Sequence, residues 1–132
     1  LATDQSEKNP VYYLQYAHAR ICNIIKHGAE KDLAVTGEFD RALLSDDAAI
    51  SLIKFLVEFP EVMATALGNL EPQGIANYLH HMSAEFHKFY AKCRVITDNN
   101  DISTARLNLI AAVKIVLYNG LGVLGISAPE RM

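Results

Sequence analysis

Apolar residues along this chain recur at three- and four-residue steps, and no stretch alternates apolar and polar positions as a half-buried strand would. The pattern predicts an all-α helical bundle. Asn9 before Pro10 reads as a helix start, because the amide side chain can accept from free backbone N–H groups and proline fits the first turn, where its missing N–H is not needed. From there Val11, Leu14, Ala17, Ile21, Ile24 and Ile25 form one stripe to about His27, with Gly28 as the expected stop. Ser45, Asp46 and Asp47 predict the cap of a second helix that buries Ile50, Ile53, Leu56 and Val57. Pro60 predicts the opening of a short third helix, closed by Gly68. Pro72 starts a long fourth helix whose stripe, Ile75, Leu79, Met82, Phe86, Phe89 and Cys93, reaches about Ile96. A polar loop from Thr97 to Asp101 leads into a last helix, capped near Ser103, that buries Leu107, Ile110, Val113 and Leu117 and stops at Gly120. About five helices result, with an acidic surface loop from Ala29 to Leu44 that has room for a helical turn, and a short tail from Leu121 to Met132.

At 132 residues, 51% hydrophobic and 20% charged, the chain can bury one core, and residues 1–132 are expected to form a single domain. The net charge of -3 gives no general sign of a nucleic-acid binder. Its distribution changes that picture. Glu30, Asp32, Glu38, Asp40, Asp46, Asp47, Glu58 and Glu61 face only Lys31, Arg41 and Lys54, whereas from Val62 onward basic residues slightly outnumber acids. An RNA would avoid the 30–61 region and approach the ends. Cys22 and Cys93 lie far apart in apolar stripes and read as buried free thiols of a reducing compartment. No signal peptide is visible, and the apolar run from Leu109 to Tyr118 is broken by Lys114 and too short to span a bilayer. A soluble, cytoplasmic monomer is expected, and the Leu-Ala-Thr start suggests a piece of a longer chain.

Catalytic signatures are lacking. His80, His81 and His87 share one helix, but neither HExxH nor Glu-x-x-His accompanies them, so no metal is expected. There is no G-x-S-x-G elbow, Walker loop or G-x-G-x-x-G fingerprint. What the sequence does offer is two polar flanks. At 100° per residue, Tyr13, Tyr16, Arg20, Asn23 and His27 share one edge of the first helix, and Ser83, His87, Tyr90 and Arg94 share one edge of the long fourth helix. Tyrosine faces and a guanidinium plane can stack unpaired RNA bases, with imidazole, amide and hydroxyl groups reading their edges. The same residues also suit a helix boundary, with rings buried and polar tips wet. Lys88 and Lys92, an i,i+4 pair, fit phosphate contacts or simply a solvated face.

The run Asn9-Pro10-Val11-Tyr12-Tyr13-Leu14-Gln15-Tyr16-Ala17-His18-Ala19-Arg20-Ile21 closely resembles the start of the anticodon-binding domain of arginyl-tRNA synthetases. The ending Leu124-Gly125-Ile126-Ser127-Ala128-Pro129-Glu130-Arg131-Met132 resembles that family's terminus, and Thr104-Ala105-Arg106-Leu107 stands where its DALR-type signature lies. Leu79 to Arg94 is similar to the family's helix with a Phe-His then Phe-Tyr pattern. The resemblance implies a helical bundle that holds the anticodon loop of tRNA(Arg) while a separate class I domain, using ATP with Mg, attaches arginine to the tRNA. It places Tyr13, Tyr16, Tyr90, Arg94 and Met132 on the tRNA, with Gln15 and His18 as candidates for the joint with the catalytic domain; Arg20 and His87, which share the two polar edges with those tyrosines, complete the expected tRNA-binding set. Arg94 departs from the pattern, since some relatives have tryptophan there. Signatures resembling His-x-Gly-His and Lys-Met-Ser-Lys are absent, so no catalysis and no cofactor are expected of this segment itself. A module that docks on a protein partner such as that catalytic domain is the alternative, since tyrosine and arginine suit both kinds of contact.

Overall fold

The computed structural model describes residues 9–132. Among them are four α-helices, α1 (Pro10–Glu30), α2 (Asp47–Gly68), α3 (Pro72–Lys92) and α4 (Asn100–Val123), with a 3-10 turn at Arg41–Leu43 in the long connection and no strands. The bundle class is as expected; the count of about five is not. Pro60 lies inside α2 instead of opening a helix of its own. A proline there leaves the Leu56 carbonyl without its usual donor and disturbs the turn before it. The site is exposed, so water can serve the freed groups, and the Tyr78 hydroxyl of α3 donates to the neighbouring Phe55 carbonyl.

α3 and α4 pack together in the middle; α1 lies against both, α2 lies against both, and α1 and α2 do not meet. Phe86, Phe89, Leu79 and Met82 of α3 and Leu107, Ile110 and Leu117 of α4 are completely buried between them. Each such side chain contributes roughly 1.5–3 kcal/mol through burial. α4, at 24 residues, is long and apolar enough to cross a membrane, contrary to the shorter run expected. Most of its apolar positions pack against the three other helices, while Ile115, Tyr118 and Val123 stay exposed. In α2 the buried positions are Ala49, Leu52 and Ala66, whereas Ile50 and Val57, expected inside, are 40% and 73% exposed.

The predicted helix starts at Asn9–Pro10 and Pro72 hold, and Asn9 Oδ1 accepts from the Val11 and Tyr12 amides. The expected stops at Gly28 and Gly120 do not, because α1 and α4 run through them. A Cβ on Gly28 would stand 2.8 Å from Leu107 Cδ1, and one on Gly120 2.7 Å from Leu79 Cδ2. Both glycines mark places where helices approach too closely for a side chain. α1 ends instead at Glu30, and Asp32 just beyond it takes a left-handed φ of 61° so that the Leu33 amide reaches the Gly28 carbonyl. α3 stops at Lys92, short of Ile96, with Cys93 extended and Val95 plugged into the core. α4 begins earlier than expected, capped by Asn99; Ser103 is buried within it and accepts from the Thr97 amide.

Gly120→Ala is expected to destabilise the chain by about 1–2 kcal/mol, because overpacking against Leu79 outweighs the roughly 1 kcal/mol gain in helix propensity. Urea denaturation would show it; Gly122→Ala, with open space around its Cβ position, should be neutral or stabilising.

Candidate nucleic-acid interface

Because α1 and α3 are neighbours, the two polar flanks foreseen separately face each other. Tyr13 lies 4.9 Å from the His80 ring and 5.6 Å from the His87 ring, and Tyr16 stacks on His87 at 6.2 Å with 27° between planes. The Arg20 guanidinium sits 4.3 Å over the Tyr90 ring, and its Nη1 is 3.3 Å from His87 Nδ1. A cation–π contact of this kind holds both partners in one orientation. Phe86, fully buried, backs the cluster, 5.1 Å from His87 and 6.1 Å from Tyr90. The rigid core thus sets the angles of half-exposed rings. Tyr16, 41% exposed, is stacked on Tyr12 and turned to solvent.

Next to Tyr90 the flanks open into a cleft of about 760 Å³ lined by Asn23, His27, Lys31, Tyr90, Lys92, Arg94 and Asp98, among others. Cations outnumber acids there. Arg94 is exposed and forms no ion pair among the described residues. Lys92 is paired with Asp46 at 3.8 Å and Lys88 with Glu85 at 3.4 Å, which weakens the case for either as a phosphate contact. The acidic α2 lies across the central pair from α1, so most of its charge is held away from this groove.

Burial, with the Arg20 guanidinium adding to it, pushes the His87 imidazole down from its usual value to about 4, so the ring is neutral at pH 7. In the unfolded chain the same group titrates near 6.5. Between those values the unfolded chain binds the extra proton, so this contribution is fully present above about pH 6.5 and is lost as pH falls toward 4. Allowing for partial exposure, it amounts to about 1–2 kcal/mol. Denaturation at pH 7 and 4.5 should therefore show a smaller stability difference in His87→Gln than in the parent chain.

Some residues fall elsewhere than expected. Ser83, foreseen on the α3 edge, is completely buried, and its Oγ has no hydrogen-bond partner. Gln15 and His18 are occupied by this chain's own tail: Gln15 Nε2 donates to the Ser127 carbonyl at 3.0 Å, and His18 Nδ1 is 2.9 Å from the Pro129 carbonyl. His18, 2% exposed beneath that tail, cannot form the surface of a joint in this arrangement. Gln15 and His18, which the tail covers, lie on a different flank of α1 from the aromatic cluster, and Met132 at the tail's end is exposed. Cys93 is buried, Cys22 is only partly so, and both are free thiols.

Comparison with known proteins gives this groove a setting. The DALR anticodon binding domain model matches residues 14–132. This chain belongs to the DALR anticodon-binding domain family. Its relatives include the arginine–tRNA ligases of Symbiobacterium thermophilum, 46% identical, and Geotalea daltonii, 47% identical; each match covers 100% of this chain and 24% of the relative. The chain therefore spans about a quarter of those relatives' length. The Thermus thermophilus arginyl-tRNA synthetase structure superimposes with a TM-score of 0.81 at 28% identity, covering 96% of this chain and 22% of that one. In this DALR domain the segment Thr104–Leu107, which resembles the family's signature, is structural. Ala105 and Leu107 are completely buried, Leu107 meets Gly28, and Arg106 Nη1 donates to the Arg94 carbonyl at 2.6 Å, holding the end of α3 beside the cleft. The sequence reading missed that brace, and the contact of His80 with Tyr13. The i,i+7 spacing of His80 and His87 was the available signal for the latter.

Proposed function

We propose that this domain binds the anticodon loop of tRNA(Arg) as part of an arginine–tRNA ligase, whose class I catalytic domain, using ATP and Mg, attaches arginine to the tRNA in the cytoplasm. The observation that carries this reading is the α1–α3 groove, where Tyr16 and the Arg20 plane seated on Tyr90 offer stacking surfaces and Arg94 a cation with no ion pair among the described residues. Stacking of unpaired bases on aromatic rings is worth roughly 1–3 kcal/mol per base and tolerates a modest net charge. Tyr13, Tyr16, Arg20, His87, Tyr90 and Arg94 form the RNA surface in this proposal. Met132 joins them only if the tail's last residues reach around α1 when RNA binds. The domain acts as a monomer and contributes recognition, and the chemistry occurs at the other end of the tRNA.

Binding of the 132-residue chain to an arginine tRNA, beside the same tRNA with its central anticodon base replaced, tests the reading at two salt concentrations. Weaker binding to the altered tRNA and a fall with salt in both cases are expected, through lost base contacts and counterion release. Equal binding of both tRNAs would count against anticodon recognition and favour a protein-docking role for the same aromatic surface.

A further inference from the structure

His87 is held from three sides, by Tyr13, Tyr16 and Phe86, while its Nδ1 faces Arg20 Nη1 at 3.3 Å. A guanidinium has only donors, so this bond forms only when Nδ1 carries no proton. The neutral ring then has a single N–H, at Nε2. Among the described residues the buried side-chain atoms without a partner are His18 Nε2 and Ser83 Oγ. His87 Nε2 is not one of them and makes no hydrogen bond among the described residues, so it keeps access to solvent. Arg20 is itself held in place by the Tyr90 ring beneath it.

We propose that Arg20 is a positioning residue that fixes His87 as an Nε2–H donor, so that the groove selects a keto oxygen on an RNA base over an exocyclic amino group. The proposal rests on the groove being an RNA surface. A keto oxygen accepts from Nε2–H, whereas an amino group in the same place would set two donors against each other and leave both unpaired in a partly dry site. The depressed basicity of the ring keeps it from becoming an imidazolium, which would repel Arg20 and lose the fixed tautomer.

Nitrogen-15 correlation spectra of the His87 ring test the first half without RNA. Proton on Nε2 alone is expected at pH 7 in the parent chain, a mixture of tautomers in Arg20→Ala, and recovery of the Nε2–H form in Arg20→Lys, which retains a donor. A mixture in the parent chain, or no change in a folded Arg20→Ala, would overturn the proposal. The second half uses anticodon stem-loops in which one keto oxygen at a time is replaced by an amino group. Binding to the parent chain should fall about ten- to a hundredfold at one position, and Arg20→Ala should lose most of that discrimination. If the stem-loop binds and no position matters, Nε2–H serves a phosphate or nothing, and base selection is refuted. A stem-loop that fails to bind, despite a fixed tautomer, would overturn the RNA reading and the selection with it.

Discussion

A Phe86→Ala variant is expected to lose about 3–5 kcal/mol of stability, the usual cost of emptying a fully buried aromatic position. Phe86 has no exposed surface, and its ring is in contact with both His87 and Tyr90. The cavity would open beneath the groove, so the loss should come with broadened signals from His87 and Tyr90 in whatever fraction remains folded. Urea denaturation supplies the first number and side-chain spectra the second. Stability lowered by less than 1 kcal/mol would mean that the α1–α3 interface is looser than described, and that the site residues are not positioned from below.

Tyr90→Ala separates recognition from folding. Tyr90 is half-buried at the edge of the core, stacked on Phe86 below and covered by Arg20 above. Removing its ring takes away the seat that holds the Arg20 plane in the groove, so binding of an anticodon stem-loop should weaken by about 1–3 kcal/mol. The variant should remain folded, because the ring is a boundary residue and not part of the completely buried set. Tyr90→Phe keeps the ring and should bind nearly as the parent chain does. If both variants bind as tightly as the parent, Tyr90 is a structural residue alone; if both lose affinity equally, the hydroxyl matters more than stacking.

Helix existence and helix starts were legible because proline and a side-chain cap act locally: Asn9–Pro10 and Pro72 need only their own turn. The stop at Gly68 was legible, but those at Gly28 and Gly120 were misread because glycine serves two purposes. Gly28 and Gly120 are small to admit Leu107 and Leu79, while the left-handed ends of α1 and α2 fall to Asp32 and Leu70, residues that do not advertise it. Of the expected α2 face, Ile53 and Leu56 do pack against the core, but Ile50 and Val57 are exposed, because the helix is apolar on both sides and the alanines that it buries give a weaker signal. Pro60 was read as a start because nothing in the sequence tells a tolerated internal proline from an N-terminal one.

The two flanks of the site could be drawn from helical geometry alone, but their meeting could not. That depends on α1 docking against α3 and away from α2, which brings Arg20 to both His87 and Tyr90. Gln15 and His18 illustrate the opposite case: polar residues on a third flank of α1, which the sequence offered as a joint, close on the chain's own tail more than a hundred residues later.

The most direct test of the central claim is a chemical-shift map of the labelled domain titrated with an arginine anticodon stem-loop. The account predicts shifts concentrated on Tyr16, Arg20, His87, Tyr90 and Arg94, along facing flanks of α1 and α3, with the exposed face of α2 around Val57 unchanged. Shifts centred on α2, or saturating binding that leaves the α1–α3 groove unperturbed, would contradict it.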